Sequence, residues 1–403
     1  VRTFGAIMAM STPEGASNPR GEFRSKALEL GYGHFNQRGG VDDKPFRVRV
    51  CDHQGDSDNV AELAEYLVNE RKVPLLITSG SQDTINASTV TILAKTLLIS
   101  ISATSPELRG LNDNGLVWRM SPSDSLVGKA AAESVNVPDL TDAPSFGAIY
   151  ISDVYGDGLQ NEFKKVYQEL YPDASVSSYS FLSNDQASID NALGSLKDAN
   201  PDKIFVIAFS EDGSYIANQI ASNANLSDLP RNCDIFFADS VKDQTFLDGL
   251  DSVTPSILNG ASIFSVGELS GSVFESFQDQ FESTYSLDPS LQGYLAQAYD
   301  LAFVSALASH YSLSKSGAID GEGMADAMSH LSSGQAYTAE AANITNMINE
   351  LTSNGDIDIQ GASGELTFDP NTGDPDGVVS TTFIVDGAFE KRDTPPEICN
   401  SGG

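Results

Sequence analysis

Phe4-Gly5-Ala6-Ile7 opens an apolar run near the start of the chain, and the same four residues return as Phe146-Gly147-Ala148-Ile149. After the first copy come Val48–Asp52, a stretch Asn59–Asn69 with apolar residues three and four apart, and the apolar run Val73–Thr78. After the second come Val176–Phe181, a stretch Ser188–Lys197 with the same helical spacing, and Ile204–Phe209. Apolar residues three and four apart share one face of a helix, whereas short continuous apolar runs suit strands buried on both sides. Each passage therefore predicts strands alternating with helices, which is the pattern of a parallel sheet covered on both faces. Two such passages predict an α/β chain of two doubly wound, Rossmann-like lobes with a cleft between them.

Length and composition agree. At 403 residues the chain exceeds the size of one hydrophobic core, and 40% hydrophobic with 20% charged residues is ordinary for a globular protein. A formal net charge of -33 repels nucleic acid and anionic lipid, so neither is expected as a partner. Excess carboxylate reads first as surface solvation, with adaptation to a salty medium as the alternative. No run of roughly 18 apolar residues occurs, so no membrane-spanning helix is expected. The chain starts almost directly in its first predicted strand, Phe4–Met10, and a leader removed during export is compatible with that start.

Cys51, Cys233 and Cys399 have no metal-ligand spacing. One disulfide with one free thiol fits an oxidising compartment, with Cys233–Cys399 the preferred pair, and buried free thiols are the alternative. Common catalytic constellations are missing. No Gly-x-Ser-x-Gly occurs, Gly128-Lys129 lacks the earlier glycine of a phosphate-binding loop, and the four histidines include no His-Glu-x-x-His pair. Neither an enzyme nor a cofactor is expected. The acidic loop Asp369–Gly377 alternates oxygen-bearing side chains in a way that suits calcium, but a hairpin turn between Glu365–Phe368 and Val378–Val385 accounts for the same residues.

The chemistry present lies at strand ends. The strand Leu75–Thr78 runs into Ser79-Gly80-Ser81-Gln82-Asp83 ahead of a helix predicted from about Thr84 to Lys95, and Leu97–Ile101 runs into Ser102-Ala103-Thr104-Ser105. In a doubly wound sheet such ends face the ligand crevice. A glycine-bearing turn into a helix start offers backbone N–H groups and the positive end of the helix dipole to a carboxylate, with the Ser81 and Thr104 hydroxyls as further donors. The Ser102 carbonyl and Thr104 hydroxyl suit an ammonium group. Taken singly, each Ser or Thr is equally an N-cap.

Further motifs fall in one order: Gly39-Gly40-Val41, the turn Asp52–Asp58, Ile101–Leu108, Trp118-Arg-Met-Ser-Pro-Ser-Asp124, Tyr155-Gly-Asp-Gly-Leu159, Asn200-Pro-Asp202, Tyr294–Ala302 and Gly361–Asp369. That order resembles the leucine/isoleucine/valine-binding family of periplasmic solute-binding proteins over nearly the whole chain. The resemblance implies the type I periplasmic binding protein fold, two lobes joined by a three-crossing hinge near Trp118–Pro122, Ala261–Val266 and Phe368–Val379. It assigns residues 1–120 with 265–367 to an N-terminal lobe and 121–264 with 368–403 to a C-terminal lobe. It implies Gly80 and Ser81 at the ligand carboxylate, and Ser102, Ala103 and Thr104 at the ammonium. Tyr155 would cover the ligand from the second lobe, Asp239 would pair with the ammonium, and Phe209 would stand at the other aromatic position. For Tyr155, Asp239, Phe209 and Tyr294 the alternatives are packing of a turn, helix capping and plain core.

Two departures leave ligand identity open. Arg20, in the loop Ser11–Gly21, stands near a position where the family has an aromatic residue; it suits a second carboxylate on the ligand or is simply solvated. Ser210 also stands where an aromatic is common. The resemblance implies capture of a small amino acid or related carboxylate for an ABC permease, by a monomer in the periplasm or outside the cell, with a lipid anchor through a missing N-terminal segment left open. A ligand-sensing receptor ectodomain or amide-type regulator on the same fold is the alternative.

Overall fold

The computed structural model describes residues 1–135, 142–266, 270–353, 355–392 and 394–400. The chain divides into two units, Val1–Pro122 with Gly267–Gly377 and Ser123–Val266 with Val378–Gly403, and so passes between them three times.

The first unit begins with β1 (Arg2–Met8), α1 (Pro19–Asn36), β2 (Phe46–Asp52), α2 (Val60–Glu65), β3 (Leu75–Thr78), α3 (Ser81–Ala94), β4 (Leu97–Ser100) and β5 (Val117–Arg119). Its sheet is parallel, in the order β2-β1-β3-β4-β5. The second unit follows with α4 (Asp124–Glu133), β6 (Phe146–Ile151), α5 (Val154–Leu170), β7 (Val176–Phe181), α6 (Gln186–Ala199), β8 (Lys203–Ile207), α7 (Ser210–Ser222), β9 (Ile235–Ala238), α8 (Gln244–Asp248) and β10 (Ser262–Val266). These strands are also parallel and repeat the same order, β7-β6-β8-β9-β10. In each sheet the first strand lies between the second and third, so the connections leave it in opposite directions. That switch point is where α/β sheets open a crevice at their strands' carboxyl ends.

The chain then returns to the first unit through α9 (Ser272–Tyr285), α10 (Leu295–Ser316), α11 (Gly321–Met328), β11 (Gln335–Thr338), α12 (Ile344–Ser353), β12 (Ile357–Gly361), β13 (Gly364–Glu365), β14 (Phe368–Asp369) and β15 (Asp374–Pro375). It ends in the second unit with β16 (Val379–Val385), β17 (Ala388–Lys391) and α13 (Glu397–Asn400). There β16 adds antiparallel to β10, and β17 to β16.

The repeated tetrapeptide plays the same part in both sheets. Phe4 packs 5.8 Å from the Tyr32 ring of α1 and 5.5 Å from Phe46. Phe146 likewise packs 5.0 and 4.9 Å from Phe163 and Tyr167 of α5. On the opposite face the glycine admits a close neighbour: a Cβ at Gly147 would stand 2.2 Å from a Leu196 methyl of α6, and one at Gly5 3.1 Å from Leu67 and Leu76 methyls. Alternation along a strand thus sends an aromatic to one helical layer and no side chain to the other.

Three local expectations are corrected. The helix after β3 starts at Ser81 rather than near Thr84, because Gly80 serves as its N-cap and the Asp83 carboxylate reaches back to the Gly80 N–H at 3.4 Å. Strand β8 stops at Ile207, so Phe209 is the N-cap of α7 rather than the end of an apolar strand. The hairpin at the acidic loop is tighter than expected. Phe368–Asp369 pairs with Asp374–Pro375, closed by Thr372 and Gly373 N–H groups on the Asp369 carbonyl, and Val379–Val385 pairs with Ser262–Val266 instead. Gly373 takes φ +69°, and a Cβ there would lie 2.3 Å from the Val117 carbonyl oxygen.

Cys233 and Cys399 form a disulfide with Cα atoms 5.6 Å apart, and Cys51 remains a half-buried thiol on β2. Among the described residues no helix is long and apolar enough to cross a membrane.

Candidate functional site

In the first unit the carboxyl ends of β3 and β4 are tied together by serines. Ser100 and Ser102 donate their hydroxyls to the Ser79 carbonyl at 3.0 and 2.8 Å. Ser81, the first residue of α3, is buried, and its Oγ accepts the N–H groups of Thr104 and Ser105 at 3.2 and 3.1 Å. A hydroxyl that accepts twice keeps its one O–H to donate. Gly80, Ser81, Ser102, Ala103 and Thr104 are therefore brought to one place, beside the positive end of α3.

Behind that helix start lies a group the sequence reading did not single out. Asp83 accepts the Ser57 hydroxyl at 2.7 Å on one carboxylate oxygen, and the other stands 3.4 Å from Nε2 of buried His53. That spacing is an ion pair rather than an aligned hydrogen bond. Burial lowers the His53 pKa, but Asp83, Asp52 and Asp56 together outweigh it and hold it above the usual histidine value.

Arg20 is the second residue of α1, half-buried, with its N–H on the Asn18 side chain. One turn on, Arg24 is only 6% exposed. Its Nη1 donates to Ser79 Oγ at 2.6 Å, its Nε to the Gly293 carbonyl at 3.4 Å, and its guanidinium lies 5.3 Å from the centre of the Tyr294 ring. Arg24 was legible only as a charge interrupting the apolar stripe Phe23, Ala27 and Leu28. Tyr294, the first residue of the motif Tyr294–Ala302, is the N-cap of α10 with φ +67°, a left-handed conformation that costs an aromatic residue roughly 1–3 kcal/mol.

The second unit gathers its residues at the corresponding strand ends. Tyr155, in the first turn of α5, has its hydroxyl 3.2 Å from the Asp239 carboxylate and 2.8 Å from Ser240 Oγ, and its single proton is shared between these two acceptors. Its ring stacks on Phe209, 5.7 Å between centres and 17° between planes. Ser210 Oγ donates to the Ser240 carbonyl and Ser240 Oγ to the Ala208 carbonyl, which knits the ends of β8 and β9 together. Asp239 is 8% exposed and is the first residue of the short turn Asp239–Val241, whose N-cap is Ala238. Lys242 lies close by, and burial holds its pKa below the usual lysine value even though Asp239 pulls the other way. Ser240 and Lys242 were not among the expected residues.

Among the described residues no group of three His, Cys, Asp or Glu side chains could hold a metal. In the acidic loop Asp369 accepts the Asn371 N–H and side-chain amide, and Asp374 pairs with Arg109 and Arg119.

A sequence profile described as periplasmic binding protein matches residues 3–349. No curated protein matches the chain. Among solved structures, the leucine-binding protein LivK of Thermotoga maritima aligns with a TM-score of 0.74 at 17% identity, over 97% of this chain and 98% of its own. LivJ of Streptococcus pneumoniae, a branched-chain amino acid transporter substrate-binding protein in complex with isoleucine, gives 0.69 at 21% identity over 98% and 99%. A solute-binding protein of Rhodopseudomonas palustris in complex with benzoate gives 0.69 at 14% over 97% and 95%.

Proposed function

Because the chain belongs to the periplasmic binding protein family, we propose that it captures a small amino acid or related carboxylate outside the cytoplasm and delivers it to an ABC permease. The observation that carries this reading is the gathering, within each unit, of the candidate residues at the carboxyl ends of the strands beside its switch point. In the first unit Gly80 and Ser81 receive the carboxylate at the start of α3, and the Ser102 carbonyl and Thr104 hydroxyl receive the ammonium. In the second, Tyr155 and Phe209 cover the ligand and Asp239 adds a negative charge for the ammonium. A ligand held by both sets favours whichever arrangement of the units lets both touch it, and a tenfold bias takes about 1.4 kcal/mol. No covalent step is involved, and a monomer suffices.

The benzoate-bound neighbour and the stacked Tyr155–Phe209 rings together place aromatic acids among the ligands to test. A thermal-shift screen with leucine, isoleucine, glutamate, benzoate, an amide, a sugar and a nucleoside decides the class. A ligand at a hundred times its Kd adds about 2.7 kcal/mol of stability. A shift from the sugar or nucleoside, with none from any carboxylate, would overturn the reading.

A further inference from the structure

Trp118–Pro122 and the acidic loop Asp369–Gly377 meet in the first unit, where the Arg119 N–H donates to the Gly373 carbonyl at 3.1 Å. Arg119, the last residue of β5, is 2% exposed. Its Nε donates to Asp374 at 2.5 Å, and its Nη1 donates to the carbonyls of Ser105 and Ala103 at 2.9 and 3.4 Å. The other Asp374 oxygen takes Arg109 Nε at 2.5 Å. A charge this deep persists only when paired and hydrogen-bonded, and a planar guanidinium can span a carboxylate and two carbonyls where a lysine's point charge cannot.

The Ala103–Ser105 loop is thus held from two sides: its Thr104 and Ser105 N–H groups rest on Ser81 Oγ, and its Ala103 and Ser105 carbonyls on Arg119. Asp374 lies just ahead of Gly377–Val378, where the chain leaves the first unit. At that exit Gly377 packs on Pro122, the residue before the earlier passage; a Cβ at Gly377 would stand 2.2 Å from Pro122 Cγ.

We propose that Arg119 is a positioning residue: with Asp374 it fixes the Ala103–Ser105 loop in its ligand-holding shape and ties that shape to the segments through which the chain passes to the second unit. The link to ligand holding rests on the solute-binding reading; the loop's dependence on Arg119 does not. The test compares the full chain with Arg119→Lys, which keeps the charge but not the fork, and Asp374→Asn, in case the first variant folds poorly. Amide hydrogen exchange is followed at Thr104 and Ser105 against strand amides of β1 and β6. Leucine and benzoate are titrated calorimetrically into the same samples.

Loss of charge-assisted hydrogen bonds should cost the Thr104 and Ser105 amides about tenfold in protection or more, with the strand amides nearly unchanged. Whichever probe the wild type binds should bind about tenfold more weakly, and Asp374→Glu should recover part of the loss. Unchanged protection at Thr104 and Ser105, or an equal fall throughout both units, would overturn the proposal. A wild type that binds neither probe, nor anything in the thermal-shift screen, would sink the solute reading, while the exchange result would still decide the role of Arg119.

Discussion

His53 is buried with its Nε2 3.4 Å from Asp83, and the neighbouring Asp52 and Asp56 add negative potential around the ring. Its folded-state pKa is raised above the ordinary 6.5. The folded chain therefore holds the proton more tightly than the unfolded chain does. The stabilisation this supplies is complete below the unfolded value and is lost as pH climbs through the raised one. The urea midpoint of the wild type should accordingly fall between pH 6 and pH 8.5, and His53→Gln should flatten that part of the profile; an unchanged slope would show the ring to be neutral throughout. Because Asp83 also braces the Gly80 N–H, the same titration bears on the helix start that Ser81 opens. The sequence made Ser81 and Thr104 legible because hydroxyls at strand ends advertise their chemistry. Nothing in a linear reading reveals that His53 and Asp83, thirty residues apart, meet in the interior, nor that Arg24 reaches Ser79.

At the scale of elements, α13 is a four-residue helix that reaches the turn Asn232–Asp234 chiefly through Cys399–Cys233. A cross-link over 166 residues removes loop entropy from the unfolded chain worth about 5 kcal/mol in the chain-entropy model. Reducing it should lower the melting temperature of the second unit while leaving the exchange protection of β1–β5 intact; equal softening of both sheets would mean that the bridge does more than hold the terminal segment. The strand Leu75–Thr78 was legible to the residue, because an apolar run between a proline and a polar turn has sharp ends. The start of α3 and the end of β8 were less so, since both depend on which residue caps the helix. The hairpin at Asp369–Asp374 was misread because its register follows from Gly373 and from β10's claim on Val379–Val385, and both are tertiary facts.

For the whole molecule, the two copies of Phe-Gly-Ala-Ile and the alternating runs after them pointed to two alike α/β lobes; that their sheets share one strand order is what the structure adds, with the tetrapeptide meeting the same kind of neighbour on each face of the first strand. The charge of -33 says something different, about the medium in which those sheets are stable. Folding concentrates the acidic residues on a smaller surface, so self-repulsion weighs more on the folded state than on the expanded one. Screening shortens from about 10 Å at 0.1 M salt to about 3 Å at 1 M, which relieves that repulsion. The cost of added salt is small: exposed pairs such as Lys44–Asp42 and Lys95–Glu322 contribute little in water, and the buried Arg119–Asp374 pair is barely screened. The melting temperature should therefore rise as potassium chloride is taken from 0.05 to 1 M, steeply at first and then levelling as the Debye length falls below the spacing of surface carboxylates. Sucrose, which adds no ions, should give no such early rise. A melting temperature that falls with potassium chloride would show that the ion pairs outweigh the repulsion, and that the acidic surface does no more than keep the protein in solution.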